Sequence, residues 1–131
     1  MMKKYLFILL WLISIVILSC KTTKMTAEEK AKYKQIKKGD TIEIALTENH
    51  STGYKWQWEI IEGEKNVEFL YDTAKSNVPD SAIQAGYVGG SITKTFVFKA
   101  VKKGKTTISF KYVRFNKKVA KTDTFYYYIT K

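Results

Sequence analysis

From Gly39 onward the chain keeps a period of two. Ile42, Ile44 and Leu46 alternate with Thr41, Glu43 and Ala45, and Tyr54, Trp56, Trp58 and Ile60 alternate with Lys55, Gln57 and Glu59. Successive side chains of a strand point to opposite faces, so this alternation predicts strands with one buried face. Val67-Glu68-Phe69 and the segments 95–100, 106–113 and 124–130 are likewise rich in β-branched and aromatic residues. Turn formers separate most of them: Glu62-Gly63, Val78-Pro79-Asp80, Gly89-Gly90 and Lys103-Gly104-Lys105. About seven short strands with no long helix and no repeat predict an all-β sandwich. Its inward faces should carry Ile42, Ile44 and Leu46; Trp56 and Trp58; Phe96 and Phe98; Ile108, Phe110 and Tyr112; and Phe125, Tyr127 and Ile129. Tyr126 and Tyr128 then fall on the outer face.

The residues before Gly39 follow another pattern. Lys3 and Lys4 precede a nearly unbroken apolar run from Tyr5 to Leu18, the layout of a secretory signal peptide that is short for a bilayer span. Ile17-Leu18-Ser19-Cys20 resembles the bacterial lipoprotein cleavage box. That resemblance implies cleavage before Cys20 and lipidation of its sulfur; the alternative is an uncleaved signal anchor with an incidental cysteine. Anchoring by more than one acyl chain is stable where a single chain is marginal. Residues 21–38, with a weak helical pattern at 28–35, read as a tether. The expected organisation is a lipoprotein signal peptide over 1–19, the lipidated cysteine and tether over 20–38, and a sandwich domain over 39–131. Such a protein is exported to the cell envelope and lipid-anchored to a membrane at its periplasmic or extracellular face.

Charge and chemistry narrow the function. The chain has 23 Lys and Arg against 12 Asp and Glu, a formal net charge of +11. The excess is almost entirely lysine, scattered along the domain, with Arg114 the single arginine. Nucleic-acid binders more often cluster their charge and use arginine for bidentate contacts, so a solvated lysine surface is the reading here and no nucleic-acid partner is expected. With one cysteine, the domain has no internal disulfide and depends on its core. One histidine, His50, and one cysteine make no zinc ligand pair, and Gly89-Gly90 is not followed by the Lys-Ser/Thr of a phosphate loop. His50 and Ser51 are adjacent, whereas catalytic pairs converge from separated parts of a chain. Neither an enzyme nor a cofactor or metal is expected.

Three segments between strands stand out: Asn49-His50-Ser51-Thr52-Gly53-Tyr54-Lys55-Trp56, Gly86-Tyr87-Val88-Gly89-Gly90 and Tyr112-Val113-Arg114-Phe115-Asn116. Singly, each reads as a turn, a hairpin tip or a strand end. Together they resemble the chagasin family of cysteine-protease inhibitors, with its Asn-Pro-Thr-Thr-Gly-Tyr-x-Trp, Gly-x-Gly-Gly and Tyr-x-Arg-Pro-Trp motifs in the same order. Gly39-Asp40-Thr41 and Phe96-Val97-Phe98-Lys99-Ala100 add to the likeness, which spans about residues 38–130.

The resemblance implies an immunoglobulin-like sandwich whose three loops gather at one end and enter the cleft of a papain-like cysteine protease as a wedge. On that reading the protease-binding residues are Asn49, His50, Ser51, Thr52, Gly53 and Tyr54 from the first loop, Tyr87, Val88, Gly89 and Gly90 from the second, and Arg114, Phe115 and Asn116 from the third. Inhibition would be reversible and non-covalent, and a monomer suffices for it. Four positions depart from the motifs: His50 stands where the family has proline, Tyr87 where it has the first glycine, and Phe115-Asn116 where it has Pro-Trp. Those departures keep a second reading open, an immunoglobulin-like envelope lipoprotein repurposed to bind another protein or a glycan.

Overall fold

A computed structural model describes residues 24–86 and 89–131. The signal peptide over 1–19, Cys20, Tyr87 and Val88 lie outside the described residues. The strands are β1 (Lys34–Lys37), β2 (Thr41–Glu48), β3 (Tyr54–Glu62), β4 (Val67–Ser76), β5 (Ile92–Ala100), β6 (Gly104–Arg114) and β7 (Val119–Thr130). Two short helices, α1 (Ala27–Lys32) and α2 (Asp80–Gln84), precede β1 and interrupt the β4–β5 connection. One sheet runs β1-β7-β6-β3 and the other β2-β5-β4. All pairings are antiparallel except β1 with β7, which is parallel.

The period of two does what it predicts. Along β2, exposed and buried residues alternate without exception from Thr41 to Glu48. Ile42, Ile44 and Leu46 meet Phe96, Phe98 and Ala100 of β5, and the facing sheet contributes Trp56, Ile108, Phe110, Tyr127 and Ile129. Trp58, Tyr112 and Phe125 are half-buried and pack against this core. The sheets are joined by aromatic contacts: Phe96 on Phe110 at 5.0 Å and Trp58 edge-on to Phe98 at 5.1 Å between centroids. Such pairs add specific geometry to the area they bury. Burial also pushes the Tyr127 phenol above its ordinary pKa.

Three features differ from the sequence reading. The sheet starts at Lys34, inside the segment read as tether. Thr26 and Glu29 form a reciprocal capping box that starts α1, and Tyr33 ends it by turning extended. Tyr33 then packs edge-on to Tyr126 at 5.5 Å, and Lys32 lies 4.1 Å from the Tyr126 ring, so Tyr126 sits on the outer face as expected but under a cover. The second difference is β4, which runs to Ser76 although only its first three residues carried a strand pattern. It is a sheet edge exposed on nearly every residue, so no alternation marks it. The third is α2, a single turn and a half inside a segment read as loop.

The registers decide where the loops emerge. Ile92 pairs with Glu48 on one side and with Ser76 on the other, while Tyr54 pairs with Arg114. The β2–β3, β4–β5 and β6–β7 connections therefore leave the sandwich at the same end.

Candidate functional site

The first loop is held at almost every residue. Asn49 ends the strand and its Oδ1 accepts from the Ser51 amide at 3.1 Å and the Ser51 hydroxyl at 2.6 Å. The Thr52 hydroxyl donates to the Asn49 carbonyl at 2.7 Å, and the Thr52 amide donates to the same oxygen at 3.2 Å. These side-chain bonds wind His50–Thr52 into one 3₁₀ turn. Gly53 closes it in the left-handed region at φ 73°, which a residue with a Cβ adopts at a cost. An added Cβ there would also lie 3.6 Å from Arg114 Nε and 4.0 Å from Phe115, which places the tip of the first loop against the third.

Two groups outside the motif anchor this turn. The Asn49 amide donates to the Tyr112 hydroxyl at 2.9 Å, and Tyr112 is stacked on Tyr54 and packed against Trp56. Glu48, 1 % exposed, accepts from the Trp56 amide at 3.0 Å, and its other carboxylate oxygen lies 2.7 Å from His50 Nε2. Trp56 Nε1 donates to the Thr47 carbonyl at 2.8 Å. Sequence reading missed Glu48, although a signal existed: it occupies the inward phase that Ile42, Ile44 and Leu46 establish, where a carboxylate needs a partner.

The third loop is a tight hairpin. The Lys117 amide donates to the Arg114 carbonyl at 2.8 Å, the Arg114 amide to the Lys118 carbonyl at 3.0 Å, and Lys117 itself is left-handed at φ 65°. Asn116 Oδ1 accepts from the Lys118 amide at 3.1 Å, so its side chain is spent on the turn. Phe115 projects into solvent, 86 % exposed, and the Arg114 guanidinium lies 5.8 Å from the Tyr54 ring and 5.7 Å from that of Phe115. Beside them, on the outer face of β3 and β6, Lys55, Lys111 and Lys117 join Arg114 along a shallow groove.

The second loop is tied at its base. The Asn77 amide donates to the Ser91 carbonyl at 3.0 Å, its side-chain amide to the Ser91 hydroxyl at 3.0 Å, and Thr93 donates to Asn77 Oδ1 at 2.8 Å. Gly89 and Gly90 have φ of 101° and 106°, and a Cβ on Gly89 would meet nothing within 4 Å. Both glycines serve a backbone conformation that side chains resist, and at Gly89 there is no close packing among the described residues. Of the thirteen protein-binding positions proposed from sequence, Tyr87 and Val88 lie outside the described residues; the registers bring the other segments to one end. Among the described residues no three His, Cys, Asp or Glu side chains are grouped to hold a metal.

The sandwich gathers three connections at one end, one of them locked and one bearing an exposed aromatic, so its loops are presented together on a rigid scaffold. The family model for chagasin family peptidase inhibitor I42 matches residues 35–129, and the chain belongs to that family. The structure is similar to that of EhICP2, a cysteine protease inhibitor from Entamoeba histolytica, at 30 % identity and a TM-score of 0.60 over 73 % of this chain and 84 % of that one. PbICP-C, solved in complex with falcipain-2, shares the fold at 23 % identity and a TM-score of 0.50 over 75 % and 84 % of the two chains. Amebosin shares it at 20 % identity and 0.52 over 81 % and 93 %. A comparison with curated protein sequences found no match.

Proposed function

We propose that this chagasin-family chain inhibits papain-like cysteine proteases by occluding their cleft with the three loops at the Glu48–Tyr54 end, reversibly and without being cut. The observation that supports this most is the first loop. Proteases of this kind bind substrates as extended strands, and an extended peptide offers its carbonyl to the nucleophile. A 3₁₀ turn closed by a left-handed Gly53 fills space at the catalytic centre without offering such a strand. Because its bonds are internal, little ordering entropy is lost on binding. Arg114 and Phe115 beside it supply a cation and an exposed ring, the residue types enriched at the centres of interfaces. Gly89 and Gly90, both at positive φ, offer main chain without side chains for hydrogen bonds at the cleft's other wall.

The test is a titration of residues 21–131 against papain and a cathepsin L-type protease with a fluorogenic peptide. Competitive inhibition that disappears in Thr52→Arg and Gly53→Trp is the expected result. No inhibition at tens of micromolar by a folded domain would overturn the reading.

The hairpin favours a second reading. Asn116 caps the turn and presents no ring where the family motif has tryptophan, so the scaffold has a changed contact surface. If the target is another protein or a glycan, Asn116→Trp leaves protease inhibition unchanged; on the first reading it strengthens it. The lipid anchor at Cys20 and attachment to the envelope membrane rest on the Ile17–Cys20 sequence. Metabolic labelling with palmitate, present in the full chain and absent in Cys20→Ala, tests them; a monomer by light scattering of residues 21–131 is expected.

A further inference from the structure

Glu48 is the last residue of β2 and the one charged side chain on that strand's buried face. A carboxylate taken out of water is costly unless it is paired and hydrogen-bonded. Among the described residues the only cationic or potentially cationic group within 4 Å of it is His50, which projects from the loop with its side chain 60 % exposed. The two oxygens divide their work: one holds the Trp56 amide at the start of β3, the other holds His50 Nε2 at the start of the turn. The bracket from residue 48 to 50 and to 56 thus encloses Ser51, Thr52 and Gly53, the tip of the loop. Asn49 shapes that tip from within, whereas Glu48 fixes it to the sandwich.

We propose that Glu48 and His50 are positioning residues of the wedge: the buried carboxylate clamps the imidazole and so fixes the direction in which Ser51–Gly53 points. The inference rests on the protease-inhibitor reading for its functional consequence but not for the clamp itself. His50 occupies the first position of the 3₁₀ turn, and its own amide makes none of the loop's hydrogen bonds. Proline is tolerated at such a position and locks φ near the helical value. His50→Pro therefore supplies rigidity by a different route, which makes it the rescue variant for His50→Ala.

The experiment measures ¹⁵N order parameters of the Ser51, Thr52 and Gly53 amides, the melting temperature, and inhibition of a cathepsin L-type protease, for residues 21–131 and both variants. His50→Ala should lower the melting temperature, since it leaves the buried carboxylate without that partner, lower the three order parameters, and weaken inhibition about tenfold. His50→Pro should regain the order and the inhibition. Unchanged order parameters in His50→Ala overturn the clamp whatever the inhibition constants are. A loosened loop that inhibits as tightly as wild type overturns the positioning role. A wild-type domain that inhibits nothing, yet loosens in His50→Ala, leaves the clamp standing and removes the inhibitor reading.

Discussion

The first and second loops leave the same end of the sandwich and differ in how much of their shape the protein holds. The first, five residues long between β2 and β3, is bonded internally through Asn49, Ser51 and Thr52 and externally through Glu48, Tyr112 and the Trp56 indole. The second spans residues 77–91, is tied where Asn77 meets Ser91, and carries glycines with open space around Gly89. On the proposed reading, the first loop is the preordered element that carries shape, and Gly89 and Gly90 add main chain at positive φ beside it. Conformational freedom is lost on binding only where the loop is not already ordered. A substitution that loosens the first loop should therefore weaken binding even where the fold is kept.

The largest effect tests the support of the ordered loop. Trp56→Ala removes a buried ring that packs on Tyr112 and bonds the Thr47 carbonyl, and should cost about 3–5 kcal/mol of unfolding free energy. Denaturant unfolding measures it, and inhibition should fall along with stability. Phe115→Ala should do the reverse: the exposed ring leaves stability within about 0.5 kcal/mol, while inhibition weakens more than tenfold, about 2 kcal/mol. Equal inhibition by this variant would remove the third loop from the wedge.

The comparison itself is sharpened by one alanine in each loop. Gly53→Ala meets a left-handed φ in a loop that cannot relax, and should cost about 1–2 kcal/mol of stability. Gly89→Ala also meets a positive φ, 101°, and should cost a similar amount, although its Cβ, unlike that at Gly53, would touch nothing within 4 Å among the described residues. An unchanged melting temperature in either variant would argue against a fixed positive φ at that glycine.

The smallest effect lies at the opposite end. The Lys105 ammonium, 2.5 Å from Glu29, holds that carboxyl below the ordinary range, and Glu29 in turn raises Lys105. A carboxyl whose pKa is depressed by folding contributes stability above its unfolded pKa and loses it as pH falls through the folded value. Both side chains are solvated, so the contribution is small. Melting curves of wild type and Glu29→Gln should differ slightly at neutral pH and converge on acidification below the ordinary carboxylate range. Inhibition should be the same for both at neutral pH, since α1 docks far from the loops.

How much of this was legible beforehand follows from the kind of signal each element sends. The inward faces of β2, β3, β5, β6 and β7 were readable because one side of each meets the core and the other meets solvent. β4 was not readable beyond Val67-Glu68-Phe69: as an exposed edge it has no second environment to alternate with. β1 was hidden in a lysine-rich stretch, since its pairing partner, β7, is about ninety residues away in the chain. The three loops were recognisable as motifs, but the roles within them were not. Asn116, read from the motif as a contact position, also bonds the hairpin.

The chain's own pattern was enough to establish strands, their buried faces, the turn chemistry and the family likeness, because a period of two and a glycine's tolerance for positive φ are properties of the backbone where they occur. The neighbours of each loop residue came from the fold. That Tyr112 reaches the Asn49 amide, that Gly53 lies against Arg114, and that Glu48 holds His50 and Trp56 together all depend on strand register and on one sheet facing another. Such contacts join residues that nothing along the chain marks as partners, and they set how rigidly the binding end is held.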